Sequence, residues 1–438
     1  MEMLLLGGYL LPGKGEVKKD WGVAVKDGII RAVGDNHRLK ADFPAYRIMD
    51  CSDKIISPGF INSHMHSYGI LSHGITPPVE IDSFETFLNS FWWPLVENQI
   101  DHEMIRISGK ATALELLNSG VTCLCDVLEA PNALPCGLEV HARVIEEIGM
   151  RAVLSFEACE RVNPQNAEAG LKENLDFFKK YREHPLISGM MCIHTTFTCS
   201  REYIQRAARM AREAGSGIQM HLSESKYEPD WCLKKYGKLP VEVYEELGYW
   251  GSDVLASQGV KLTMAEMDIL QRRGVNLVHV PLSNCEVGGG FSPVPDLLSR
   301  GINVGLGTDG YINNFFEVMR GAFLIHKANM ENPEAMPGDV VFRMATENGG
   351  RALGISGLGE LKEGAPADII TIRADFPTPL NAANLFSQMI LYRNPEDVRE
   401  VMVNGRFLKE NGRLLGHDLD AVHRDVCLEA ERLWKMGR

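Results

Sequence analysis

From about residue 57 to residue 355 the chain alternates short apolar runs with amphipathic stretches, and this alternation restricts the fold more than any other feature. Candidate strands fall at 56–61, 121–126, 152–157, 189–194, 218–221, 254–258, 275–280 and 302–308. Most are uniformly apolar, as expected of parallel strands covered on both faces. Amphipathic segments at 103–118, 138–148, 204–214 and 265–273 lie between them, with Gly120, Gly149, Gly215 and Gly274 where helix C-caps belong. The pattern predicts an α/β fold, a (β/α)8 TIM barrel. An open dinucleotide-binding sheet would need a GxGxxG after the first strand, and none is present.

The two ends read differently. Runs at 4–6, 21–25 and 29–33 are separated by Gly7-Gly8, Asp27-Gly28 and Gly34-Asp35, and the same pattern returns at 367–372 and 398–403 before the turn Asn404-Gly405. Both termini are predicted to build one small β domain, as segments 1–56 and 358–438 around a barrel at 57–357, with a closing helix near the C-terminus.

Almost every candidate barrel strand ends in a polar or metal-capable residue: His64 and His66, Asp126, Glu157, His194, His221, Gln258, His279 and Asp309. Strand C-terminal ends surround the active site of such a barrel, so these residues are expected to ring one pocket. His64 and His66 lie two apart on a strand and project the same way, so both imidazoles reach one ion. His221 offers a third nitrogen, Asp309 a carboxylate, and Glu224 a carboxyl for proton transfer one short loop further on. Three His and one Asp suit a single divalent ion, Zn²⁺ before Fe²⁺, that acidifies a water; the implied reaction class is metal-assisted hydrolysis. Each residue also has a plainer reading, His221 as a core histidine and Asp309 as a turn residue before Gly310.

Composition removes competing classes. The 438 residues carry 45 Lys+Arg against 58 Asp+Glu, a formal charge of −13 with no basic run, so nucleic acid is not the expected partner. No apolar run has the length of a membrane span. Ten cysteines without a CxxC pair, and no basic n-region before the apolar start, read as reduced thiols of a cytoplasmic protein. Cys123 and Cys125 read as buried strand residues.

Four segments in order, SPGFINSHMHS, QMHLSE, VHVPLSN followed by GGGFSPVPDLLSRGINVGLGTDG, and NGGRALGISGLGELKEGAPADIITI, resemble the amidohydrolase superfamily. The resemblance is to its deaminase and chlorohydrolase branch, which includes adenosylhomocysteine/methylthioadenosine, guanine and cytosine deaminases and triazine hydrolases. It implies a distorted (β/α)8 TIM barrel with a small β-sandwich domain built from both termini, and His64, His66, His221 and Asp309 as metal ligands. It also implies Glu224 as proton shuttle to a ring nitrogen, Asp309 as base toward the water, ammonia as leaving group, a small N-heterocyclic substrate and a homo-oligomer.

Two departures qualify that implication. The sixth-strand position where the family has a catalytic His is Gln258, which donates a hydrogen bond but carries no proton at neutral pH. His279 or His194 is the expected substitute; otherwise the chain is slow or non-catalytic. Where nucleoside deaminases have Glu-Trp-Leu, the Glu holding ribose hydroxyls, this chain has Thr86, which favours a free base. The leaving group also stays open, chloride or an alkylamine being the alternatives to ammonia. Expected substrate contacts are His194, Trp92, Tyr68 and Asn313; Phe91, Trp92 and Trp93 form a stacking wall or core packing, and Asn313 and Asn314 face substrate or cap a helix.

Overall fold

The computed structural model describes residues 2–436. Strands from both ends form one nine-stranded, mostly antiparallel sheet. Its seam is Arg47–Pro58, which pairs in parallel with Glu2–Leu10 on one side and antiparallel with Ile369–Arg373 on the other. Met3, Leu5, Val23, Val25, Ile56, Ile369 and Met402 share one buried cluster, so the sheet folds over a common apolar face. The hairpin between Val398–Val403 and Arg406–Glu410 turns on Asn404 and Gly405, both at positive φ (48° and 75°).

The barrel strands are Phe60–Met65, Val121–Leu128, Arg151–Phe156, Ile187–Gly189 with Met191–Cys192, Ile218–Leu222, Val254–Gln258, Asn276–His279 and Asn303–Leu306. All pair in parallel, in two sheets of four and five strands. A bridge between Ala158 and Ile193 joins the sheets on one side. On the other, the amides of Thr308 and Asp309 donate to the His64 carbonyl at 3.1 and 3.2 Å. The ring of strands therefore closes at the first and eighth strands, where the HxH pair and Asp309 lie.

Strand parity sorts the side chains. Ile61, Cys123, Cys125, Val153, Leu255, Val278 and Val280 share one buried cluster inside the barrel, whereas Leu124, Leu154 and Leu277 pack with the helices outside. Helices begin where caps allow: Asp101 caps His102–Asn118, Ser200 caps Arg201–Ala214, and Thr263 with Glu266 forms a capping box on Met264–Arg273. Gly149, Gly215 and Gly274 end their helices in the left-handed conformation, as the sequence predicts.

The first strand is displaced from its sequence expectation. Residues 55–58 belong to the terminal sheet, and the barrel strand starts at Phe60. Pro58 lacks the N–H to continue a ladder, and Gly59 turns the chain where a Cβ would collide with Thr122.

Candidate active site

His64 and His66 sit at the end of the first barrel strand, His221 on the fifth and Asp309 three residues past the eighth. Their potential ligand atoms all lie within 4.8 Å of one another. His64 Nε2 is 2.9 Å and His66 Nε2 3.3 Å from Asp309 Oδ1, and His221 Nε2 is 3.3 Å from His66 Nε2. His66 Nδ1 is paired with the Val127 carbonyl at 2.9 Å, which leaves Nε2 to serve as a ligand. Three buried histidines and a partly buried aspartate fit one divalent cation, because without one they hold three rings and a carboxylate at close quarters.

Electrostatics follow from that crowding. Burial disfavours a charged His66, but Glu129 and Asp309 outweigh it and lift its pKa to about 10. Burial likewise raises Asp309, yet His64 and His66 hold it well below the usual carboxylate range. Glu224 is pushed well above that range by burial and then by the charge of Asp309. Its loop is packed against the glycine run after the seventh strand, where a Cβ on Gly289 would lie 2.6 Å from the Glu224 carbonyl oxygen.

Gln258 occupies the sixth-strand end with φ at +78°, and Ser223 (+46°) and Asp309 (+58°) share this uncommon conformation at neighbouring strand ends. The Gln258 amide donates to Asp309 Oδ2 at 2.9 Å, and Ser283 Oγ donates to the same oxygen at 2.6 Å. Asn284 donates to Gln258 Oε1 and thereby fixes which way the amide points.

Several expected residues lie elsewhere. His279 has the outward parity of its strand: its Nε2 meets His326 Nε2 at 3.1 Å on helix Phe315–Asn329, so it does not face Gln258's place in the pocket. Asp126 is also turned outward, accepting from the Ser67 amide at 2.8 Å beside His141. Glu129, two residues past inward-facing Val127 in parity, takes its place at the second strand's end. Asn313 donates to Glu115 at 2.7 Å and so points to helix His102–Asn118, while Asn314 caps the helix that follows it.

Other expected contacts do gather at the mouth. The His194 ring is 5.4 Å from that of His221, with Nδ1 on Thr198 Oγ1 at 2.9 Å; burial takes its pKa down to about 4. Tyr68 donates to Glu129 at 2.6 Å, and its ring is 5.7 Å from that of His66. Trp92 stacks on Phe87 at 5.4 Å and tilts against Tyr68 at 6.2 Å. Trp93, beneath the Arg161 guanidinium, is the indole that meets His194, at 6.1 Å.

Sequence reasoning missed Glu97 and Glu129. Glu97, from the loop after the first strand, pairs with Arg161 at 2.5 Å and contacts Glu129, which in turn contacts Glu157. Glu129 was legible as the first polar residue after the run 121–128, at the parity of Cys123 and Cys125.

A parallel barrel with three histidines and an aspartate at its C-terminal mouth defines a metal-dependent hydrolase scaffold. Residues 55–408 match the Amidohydrolase family. The chain belongs to that family. It is 33% identical over 414 residues to a 5-methylthioadenosine/S-adenosylhomocysteine deaminase of Thermococcus sibiricus, covering 93% of each chain. It is 31% identical over 441 residues to a 5'-deoxyadenosine deaminase of Methanosarcina acetivorans, covering 99% of this chain and 98% of the other. The fold is also that of a zinc-bound adenosine deaminase from Xanthomonas campestris, with TM-score 0.88 at 24% identity over 99% and 98% of the two chains.

Proposed function

We propose that this protein is a hydrolytic deaminase of an amino-substituted N-heterocycle, releasing ammonia. The observation that carries the reading is the convergence of His64, His66, His221 and Asp309 beside a partly buried Glu224 whose pKa is raised. The names of the relatives support deamination over loss of chloride or an alkylamine. Zn²⁺ is the proposed ion: three nitrogens and one oxygen suit it, and the similar X. campestris structure holds zinc. When bound, a divalent cation supplies the Lewis acidity that makes water nucleophilic near neutral pH.

The chain's own residues manage the protons. Asp309 Oδ1 faces the ligand cluster while Gln258 and Ser283 fix Oδ2, so the carboxylate is positioned to accept a proton from the attacking water. Glu224, its pKa raised well above the usual carboxylate range by burial and then by Asp309, gives its proton to a ring nitrogen; the proton taken up by Asp309 passes to the departing amine, and the hydroxyl left on the ring carbon returns one to Glu224 as the carbonyl forms. The balance is R–NH2 + H2O → R–OH + NH3. Gln258 contributes orientation, and proton traffic falls to Glu224 and Asp309.

A free base is favoured over a nucleoside, because Thr86, at the end of the short helix Phe84–Thr86, donates its hydroxyl to Asp82 at 2.7 Å instead of supplying a carboxylate to a sugar. Ten free cysteines support a cytoplasmic setting. Ammonia release is to be measured with the metal-reconstituted protein on aminopurines, aminopterins, aminopyrimidines, nucleosides and aminotriazines. Turnover of one class, lost together with bound metal in Asp309→Asn, is expected; a fully active, metal-free Asp309→Asn protein would overturn the mechanism.

A further inference from the structure

Four residues past Glu224, on the helix Tyr227–Tyr236 that follows its loop, lies a carboxyl group to which the chemistry above gives no task. Glu228 is 3% exposed, and its two oxygens serve two different strand ends. Oε1 accepts from the Thr196 amide at 3.1 Å and from the Thr196 hydroxyl at 2.7 Å, two residues past His194. Oε2 accepts from the Ser223 amide at 2.6 Å, one residue before Glu224. All three partners are donors, so both oxygens of this buried group are satisfied.

Ser223 depends on that contact. It is fully buried, and its φ of +46° is a left-handed conformation that residues with a Cβ seldom adopt. The turn follows strand Ile218–Leu222 and comes directly before Glu224. The Ser223 carbonyl accepts from the amides of Val260 and Lys261, both at 3.0 Å, past the end of the sixth strand. Gly289 packs on the Glu224 carbonyl from the glycine run after the seventh strand. Glu228 supplies the remaining tie, to the fourth-strand loop.

We infer that Glu228 is a positioning residue for the proton-transfer step: it holds the Ser223 turn, and with it Glu224, in a fixed place relative to the loop that carries His194. The physical reason lies in the arrangement of acceptors. A buried backbone amide left without a partner is unfavourable, and Oε2 meets that of Ser223. A glutamine at this position would offer one oxygen and one nitrogen. Whichever way it turned, its amino group would face a backbone N–H, of Ser223 or of Thr196, and one strand end would lose its tie. Proton transfer needs the donor within hydrogen-bond reach of the atom it serves. A misplacement of about 1 Å costs on the order of 10²-fold in rate. This inference rests on the deaminase reading and adds to it a residue that acts through Glu224.

The test is a double-substitution cycle on the metal-loaded protein, following ammonia release and bound metal. Glu228→Gln should lower kcat at least about tenfold at unchanged bound metal, with KM altered less than about threefold. In the Glu224→Gln background the same substitution should bring no further fall, because the group it places is already gone. Glu228→Asp, too short to span both loops, serves in its stead should Glu228→Gln not fold. An unchanged kcat, or equal falls with and without Glu224, overturns the inference and leaves the deaminase reading standing. Loss of bound metal in step with kcat also overturns it, since Glu228 would then act through His221. Silence of the wild type on every aminoheterocycle overturns both.

Discussion

Gln258 shows how a single side chain is reassigned without dismantling the site. Its amide gives Asp309 the hydrogen bond a histidine would give, and Asn284 keeps the nitrogen turned the right way. It cannot carry the proton, so Glu224 should be the group on which rate depends. Glu224→Gln should lower kcat by ~10²–10⁴-fold while leaving bound metal unchanged, checked by steady-state kinetics and metal analysis. Because burial and the charge of Asp309 raise the Glu224 pKa, kcat should fall as pH climbs through that raised value. The descending limb should be absent from the residual rate of Glu224→Gln. His279→Leu gives the opposite expectation: its ring faces His326, so metal content and kcat should match wild type. A large fall in kcat would restore His279 to the chemistry. The convergence of His64, His66, His221 and Asp309 was legible because metal binding ties residue type to strand ends. Glu129, at the parity of Cys123 and Cys125, was passed over because the strand was expected to stop at Asp126, whereas it runs to Leu128.

At the scale of elements, the alternation of runs and helices located the barrel because parallel strands buried on both faces must be apolar throughout. The entry to the first strand was misplaced for a physical reason as well. The apolar run continues across Pro58 and Gly59, and only the contact of Gly59 with Thr122 marks where one sheet gives way to the other. Lys409 ties the terminal sheet to the barrel. It is fully buried in strand Arg406–Glu410 and donates to the carbonyls of Asn118 at 2.7 Å and Pro395 at 2.9 Å. Burial lowers its pKa from 10.5 to about 8. Between those values the unfolded chain binds the proton more than the folded one does, so stability rises with pH in that window. Denaturant melts should show wild type gaining on Lys409→Met from pH 8 to 10.5; a flat difference would mean that Lys409 titrates alike in both states.

Across the whole molecule, the terminal sheet and the barrel close around one seam, and the ligands lie where the barrel's two sheets meet. The His64 carbonyl that accepts the Thr308 and Asp309 amides makes barrel closure and ligand placement the same event. Metal that binds only the folded state should therefore raise thermal stability, by about 2.7 kcal/mol at a free concentration one hundred times its Kd. The measurement that bears most directly on the central claim is a titration of chelator-stripped protein with Zn²⁺, following ammonia release and bound metal together. Both should rise in parallel and break at one equivalent, and the break should vanish in His221→Ala. Full ammonia release from the stripped protein, or one tightly held equivalent that leaves every aminoheterocycle untouched, would contradict the account.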